Sequence, residues 1–194
     1  MKHKALKIVH EEHQALGAML QTLRILSSRL RADAKAEDFE LVRAILFYID
    51  EFPEKRHHAN ETNVLFPRLR ARSPEADAVL DRLDKEHAHT QASVRELEHL
   101  LLAFEQMGEP RHKAFSDALD HFIEFYAHHM QVEEKEVLPL ADRLFNGDDW
   151  DAVNAAFEEH RDPLTGHTPS EDYQALFEKI LERAPAPIGL GKPA

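Results

Sequence analysis

Apolar residues recur at three- and four-residue spacing along four stretches of the chain. In the first they fall at Leu6, Val9, Leu16, Leu20, Leu23 and Leu30, the stripe of an amphipathic helix. The second runs from about Asp38 to Arg70 through Phe39, Val42, Leu46, Ile49, Val64 and Leu69, with Pro53 expected to bend it. The third opens on Ser73-Pro74, a capping residue followed by a proline suited to a first helical turn, and ends at Gly108. Its stripe is Ala76, Leu80, Leu83, Thr90, Val94, Leu97, Leu101 and Phe104. The fourth, from about Arg111 to Phe145, carries Phe115, Phe122, Tyr126, Val137, Leu140 and Leu144, and Pro139 is placed to kink it near its end. No stretch shows a convincing strand pattern.

Short linkers around "RADAKAED", "ARSP" and "MGEPR" join these stretches, so sequential helices are expected to run antiparallel. The fold class is therefore all-α, an up-down-up-down four-helix bundle over residues 1–145. Beyond Asn146-Gly147 the pattern breaks into two shorter helical candidates, one with Trp150, Val153 and Phe157 and one with Tyr173, Leu176, Phe177, Ile180 and Leu181. Residues 146–194 are expected to be a helical extension and tail that caps the bundle or forms a homodimer contact.

Each stripe is interrupted by histidine: His13, His57, His87 and His129. From His13 to Leu30 is 17 residues, and from Asp38 to His57 is 19. The equivalent counts at the other two turns are 14 against 13 and 20 against 18. At 1.5 Å per residue these mismatches amount to ~2–3 Å along the bundle axis, so one histidine from each helix lies in a common layer. Glu61 and Glu133 follow His57 and His129 by four residues and share their faces. Singly, a histidine on an apolar stripe is more often a hydrogen-bonded core residue. Four in one layer with two carboxylates make a poor core unless a divalent cation, or a pair, compensates them.

The composition narrows the chemistry. There is no cysteine among the 194 residues, so a metal must be held by nitrogen and oxygen, a donor set that suits iron, manganese or zinc. The net charge of −12 gives no electrostatic reason to approach nucleic acid or an anionic membrane. The N-terminus has no apolar leader and no run approaches a membrane span, so a cytoplasmic protein is expected.

The segments "IVHEEHQAL", "HHANETNVLFP", "LDKEHAHT" and "HHMQVEEKEVLPLA" resemble the four ligand-bearing helices of the hemerythrin-like, HHE cation-binding family. The resemblance covers roughly residues 3 to 145, and "DWDAVNAAFEEHRDPLTGH" is similar to an extension on bacterial members. It implies a non-haem centre of two iron ions, oxo- or hydroxo- and carboxylate-bridged, with zinc or manganese as alternatives. Such centres bind dioxygen reversibly or respond to oxygen, iron or redox state. The implied ligands are His13, His57, Glu61, His87, His129 and Glu133, with Glu61 and Glu133 shared between the ions. Without a fused output domain, a sensor would need a protein partner.

One departure matters. Oxygen-carrying hemerythrins present two histidines four apart on the third helix, whereas Gln91 follows His87 here and Leu83 precedes it. His58 is the first candidate replacement; His10, water or nothing are the others. An open position would suit peroxide, NO or redox chemistry, so an oxidase- or peroxidase-like enzyme is a second expectation, and a zinc-binding or metal-free interaction bundle a third. Tyr126, one turn before His129, is a packing residue, a hydrogen-bond donor behind a ligand or a redox partner, and Met130 and Phe66 are expected to line a small apolar pocket that controls small-ligand access. Matches to the E-x-x-H spacing of ferritin-like proteins, such as Glu54 to His57 and Glu86 to His89, are expected by chance. His3, His89, His99, His112, His160 and His167 are expected in solvent; His121 and His128 are ambiguous.

Overall fold

The first stripe forms α1, Lys4–Ala32, in the computed structural model of the protein, which describes residues 3–159, 161–186 and 188–191. Its buried face is the expected one, joined by Ile8, Glu12, Met19 and Leu26. The second stripe is a continuous helical run whose winding changes. α2, Ala36–Ile49, passes into a π-helical stretch, Asp50–His57; α3, His58–Asn60, leads to a second π-helical stretch, Glu61–Leu65, and α4, Phe66–Arg72, completes the run. The cause is local. Pro53 and Pro67 have no N–H to donate to the carbonyls of Ile49 and Asn63, and their rings crowd those carbonyls. The helix widens there and does not break.

α5, Asp77–Met107, starts after a single 3-10 turn, Pro74–Ala76, so the Ser73-Pro74 signal marks the turn and the helix proper follows it. Gly108 alone separates α5 from α6, Glu109–Val132. Its φ of +73° is a conformation that glycine adopts without a Cβ clash, which shortens the expected loop to one residue. A third π-helical stretch, Glu133–Val137, precedes α7, Leu138–Leu144, where Pro139 again removes a donor.

α5 packs along α6, α1 along α2 and α6, and α2 along α5. The described residues are all-helical, the one strand-like feature among them being an isolated pairing of Pro185 with Gly191. The apolar interior is divided in two. One cluster contains Leu16 to Leu30 of α1, most of α2, Val94 to Phe104 and Phe115 to Tyr126; the other contains Ala5 to Val9, Leu65 to Leu69, Leu80, Leu83, Val137 and Ala141. Burying each large side chain in them contributes ~1.5–3 kcal/mol. The layer of stripe histidines lies between the clusters.

α8, Gly147–Glu159, packs on α1 and on the Glu61–Leu65 stretch, and α9, Glu171–Arg183, packs on α2. Trp150 of α8 stacks on His3 with ring centroids 4.0 Å apart, so His3 is half-buried, not solvated as expected. His112 is a clearer correction: the one-residue turn at Gly108 folds it back onto Phe104, centroids 5.0 Å apart, and buries it. His89, His99, His121, His128 and His167 are exposed, and His160 lies outside the described residues. No helix among the described residues is long and apolar enough to cross a membrane.

Candidate metal centre

The structure brings His13, His57, His58, Glu61, His87, His129 and Glu133 into one buried cluster. His13 comes from α1, His57 from the end of the first π-helical stretch and His58 from α3. Glu61 and Glu133 each open a π-helical stretch, and His87 and His129 sit on α5 and α6. The widened winding therefore falls on the two runs that carry the carboxylates.

The donors separate into two ends. At one, His13 Nε2 and His57 Nε2 are 3.2 Å apart; at the other, His87 Nε2 and His129 Nε2 are also 3.2 Å apart, with His58 beside them. Two nitrogens bound at right angles by ~2.1 Å bonds to one ion lie about 3 Å apart, so each pair has the bite of a chelate. The carboxylates span both ends. Glu61 places Oε1 3.4 Å from His57 Nε2 and Oε2 3.5 Å from His87 Nε2. Glu133 places Oε2 3.3 Å from His13 Nε2 and Oε1 3.0 Å from His129 Nε2.

Every one of the five imidazoles is held from behind. Nδ1 donates to Glu134 from His13 (3.2 Å), to Glu12 from His57 (2.8 Å), to Glu54 from His58 (3.2 Å) and to Glu86 from His129 (2.8 Å). His87 Nδ1 donates to the Thr62 hydroxyl at 2.9 Å, whose own proton goes to Asp84 at 3.0 Å. An ionised carboxylate can only accept, so His13, His57 and His129 carry a proton on Nδ1, and Nε2 of His13, His57, His87 and His129 faces the shared carboxylates. This is the outer arrangement that orients histidine toward a cation.

Glu61 is 1 % exposed and Glu133 0 %, and Glu61 Oε2 and both Glu133 carboxylate oxygens have no hydrogen-bond partner. Buried carboxylate oxygens left this way cost several kcal/mol. An ion at each end would satisfy all three, so the residues fit a pair of nitrogen- and oxygen-bound cations.

Electrostatics divide the histidines. Burial disfavours charge on His13, but its contacts with Glu133 and Glu134 more than offset that and raise its pKa. His57 is likewise raised well above its ordinary value, burial being outweighed by Glu61 and Glu12, and His129 is raised to about 9 by Glu133 and Glu86 against burial. His58 goes the other way: burial and the neighbouring His87, His129 and His57 push it well below the usual range. Glu133, despite burial, is held well below the usual carboxylate range by His129, His13 and His87.

Around His58 lies a polar group of Tyr126, Glu54 and Thr90. The Tyr126 hydroxyl is 3.0 Å from Glu54 Oε1 and 3.2 Å from His58 Nε2, and Thr90 donates to Glu54 Oε2 at 3.1 Å. Burial raises Glu54 to about 7 against the pull of Tyr126 and Thr90. Phe66 stacks on His87 with centroids 5.6 Å apart, and Met130 borders a surface depression shared with His10, His13 and Glu134. His10 itself is half-exposed, bonded to Glu134 and Gln14, and outside the cluster. Glu12, Glu54, Glu86, Glu134 and Thr62 are the functional neighbours the sequence did not single out for support of the centre. Glu54 and Glu86 had been set aside as chance E-x-x-H matches; they act toward His58 and His129, not toward the histidines three residues on.

A helical protein whose buried histidines and shared carboxylates form two adjacent cation-sized donor sets is a metal-binding protein of the carboxylate- and histidine-rich class. The hemerythrin HHE cation-binding domain model matches residues 4–141, and the chain belongs to that family. A search among curated proteins found no match.

Proposed function

We propose that the chain holds two iron ions and uses them to bind or sense dioxygen or another small diatomic or redox ligand, or to handle iron. The observation that carries this is the pair of buried carboxylates, each turning one oxygen to either end of the cluster: Glu61 to His57 and His87, Glu133 to His13 and His129. His13 and His57 would serve one ion and His58, His87 and His129 the other. Bound iron would supply reversible electron transfer to a small ligand; zinc or manganese fits the same donors.

The chain's own residues orient and insulate the centre. Glu12, Glu54, Glu86, Glu134 and Thr62 fix the imidazole planes. Phe66 and Phe157 place aromatic walls beside His87 and His57. Glu54, held near neutrality, can keep or release a proton at the carboxylate that faces Tyr126. That proton-active pair favours a second reading, an oxidase- or peroxidase-like enzyme drawing electrons from a donor. In either case residues 1–145 act as an up-down-up-down four-helix bundle with residues 146–194 as its extension, in the cytoplasm, without nucleic-acid or membrane partners.

The test is metal content by plasma mass spectrometry on untagged protein prepared without chelators, with visible spectra before and after oxygen. About two irons per chain and an oxygen-dependent charge-transfer band are expected. Less than one metal of any kind after anaerobic iron loading would overturn the proposal. Turnover of peroxide with a reductant beyond that of free iron would select the enzymatic reading; stable reversible oxygen binding would select the carrier or sensor.

A further inference from the structure

The family match ends at residue 141, yet residues beyond it reach the centre. Phe157 of α8 is 1 % exposed and sets its ring edge against the His57 imidazole, centroids 5.9 Å apart at 77°. One turn of helix away in space, Asn60 donates to the Ala156 carbonyl at 3.2 Å. Arg161 pairs with Glu11 of α1 at 2.9 Å. Asp162, 5 % exposed, accepts from the fully buried Tyr48 hydroxyl at 2.5 Å and from Leu164 N at 2.8 Å, where it caps the 3-10 turn Pro163–Thr165. These contacts draw the extension onto α1 and the second run from both sides of His57.

Between them is a cavity of about 10 Å³, lined by Glu12, His13, Phe52, His57, Asn60 and Asp162 among others. That volume is about the least that admits one water-sized molecule. Its walls include the two histidines of one end of the centre, Glu12 that orients His57, and Arg56; Asp162 is the one lining residue from beyond the family match, and Phe157 stands outside it on the other side of the His57 contact.

With the paired-cation centre taken as proposed above, we propose that Phe157 and Asp162 are specificity-determining residues that close its two-histidine end. Phe157 blocks the side of His57, and Asp162, latched by Tyr48, limits the space there to about one water-sized molecule. Larger chelating molecules reach the ion at that end only when the extension lifts. The four histidine-bearing runs come from within the matched span, so this closure is supplied by residues outside it.

The experiment uses the full chain loaded anaerobically with cobalt(II), whose visible bands report coordination. Bound cobalt is counted first, and its extraction by excess EDTA is then followed by stopped flow for the wild type, Phe157→Ala, Tyr48→Phe and Leu101→Ala. Tyr48→Phe keeps the ring and removes the latch; Leu101→Ala weakens the far apolar cluster as a control. The expectation is two ions bound in each variant, with extraction of one of the two faster by at least about tenfold in Phe157→Ala and by a smaller factor in Tyr48→Phe. Leu101→Ala is expected to leave the rate near wild type. Two ions bound and wild-type extraction in both Phe157→Ala and Tyr48→Phe would overturn the closure, as would equal acceleration in Leu101→Ala. A wild type that binds no cobalt would instead defeat the paired-cation centre itself.

Discussion

Replacing His58 by alanine is the sharpest test of how the centre makes up for the histidine missing from α5. His58 is buried, its Nδ1 is held by Glu54, and its ring stacks on His87 with centroids 3.9 Å apart. If it is a ligand, His58→Ala removes a donor from the His87 and His129 end and leaves the His13 and His57 end complete. Loss of an outer partner alone weakens a metal by ~10–100-fold, so loss of the ligand should cost at least ~100-fold at that end. At a free metal concentration of 100 times the wild-type Kd, each occupied end stabilises the fold by ~2.7 kcal/mol. A hundredfold weaker end is then half filled and contributes only ~0.4 kcal/mol. For a chain of this size ~2–4 °C accompanies each kcal/mol, so one of two increments of about 5–10 °C should nearly vanish. The assay is calorimetry of each variant with and without metal, which cancels the variant's own effect on the fold, together with a metal count falling from two toward one. A His58→Ala protein that keeps two ions and the full thermal increment would show that His58 is a core residue tied to Glu54 and nothing more.

Other outcomes follow from neighbouring contacts. Tyr126 has one hydroxyl proton and two acceptors, Glu54 Oε1 and His58 Nε2; Tyr126→Phe frees His58 Nε2 and should tighten the three-histidine end by ~2–10-fold, the worth of one hydrogen bond, in a competition titration against a chelator. Weaker binding would mean that Tyr126 supports His58. Leu23→Ala, in the apolar cluster away from the histidine layer, should cost ~2–5 kcal/mol in urea unfolding and leave metal stoichiometry unchanged; loss of metal with it would tie the centre to the whole core. Burial opposes ionisation of Asp149, but the Asn146 backbone N–H and Arg72 more than offset it and hold the carboxyl below its ordinary value. A depressed carboxylate adds stability above its unfolded pKa that is lost as pH falls through the folded one. Trp150, the only tryptophan, stands next to Asp149, so its fluorescence should report loosening of α8 below about pH 4, earlier in Arg72→Ala. Coincident transitions in the two proteins would remove the pair from the account.

Much of this was legible because burial has a period. The third stripe, from Leu80 through His87 to Phe104, is the buried face of α5 residue for residue. Counting along such stripes placed four histidines in a layer without any knowledge of contacts. His112 was not legible, since a one-residue turn cannot be told from a five-residue linker by composition, and that turn is what presses His112 onto Phe104. The π-helical stretches were foreshadowed by Pro53 and Pro139, but proline specifies only that the regular ladder is interrupted. Whether the helix bends, breaks or widens depends on how the run packs. His57 and His58, consecutive on the second run, fall in the two separate donor groups of the cluster.

The support of the imidazoles shows a deeper limit and the rule behind it. Glu12 is next to His13 but holds His57; Thr62 is next to Glu61 but holds His87. Glu86 is next to His87 but holds His129, and Glu134 is next to Glu133 but holds His13. Consecutive residues on a helix point about 100° apart, so the neighbour of an inward-facing ligand looks sideways along the interface to the adjacent helix. Repeated in the same sense on each run, that offset closes a ring: first run to second, second to third, third to fourth, fourth to first. Each helix thus holds an inward imidazole of the next, which ties the rotations of all four about their axes together. His58 stands outside the ring, held by Glu54 of its own run. A single sequence cannot reveal the ring, because the period that marks the inward face is blind to which neighbour lies to its left or right. Once the order of the helices is known, a polar residue beside each ligand becomes a prediction about the ligand on the next helix.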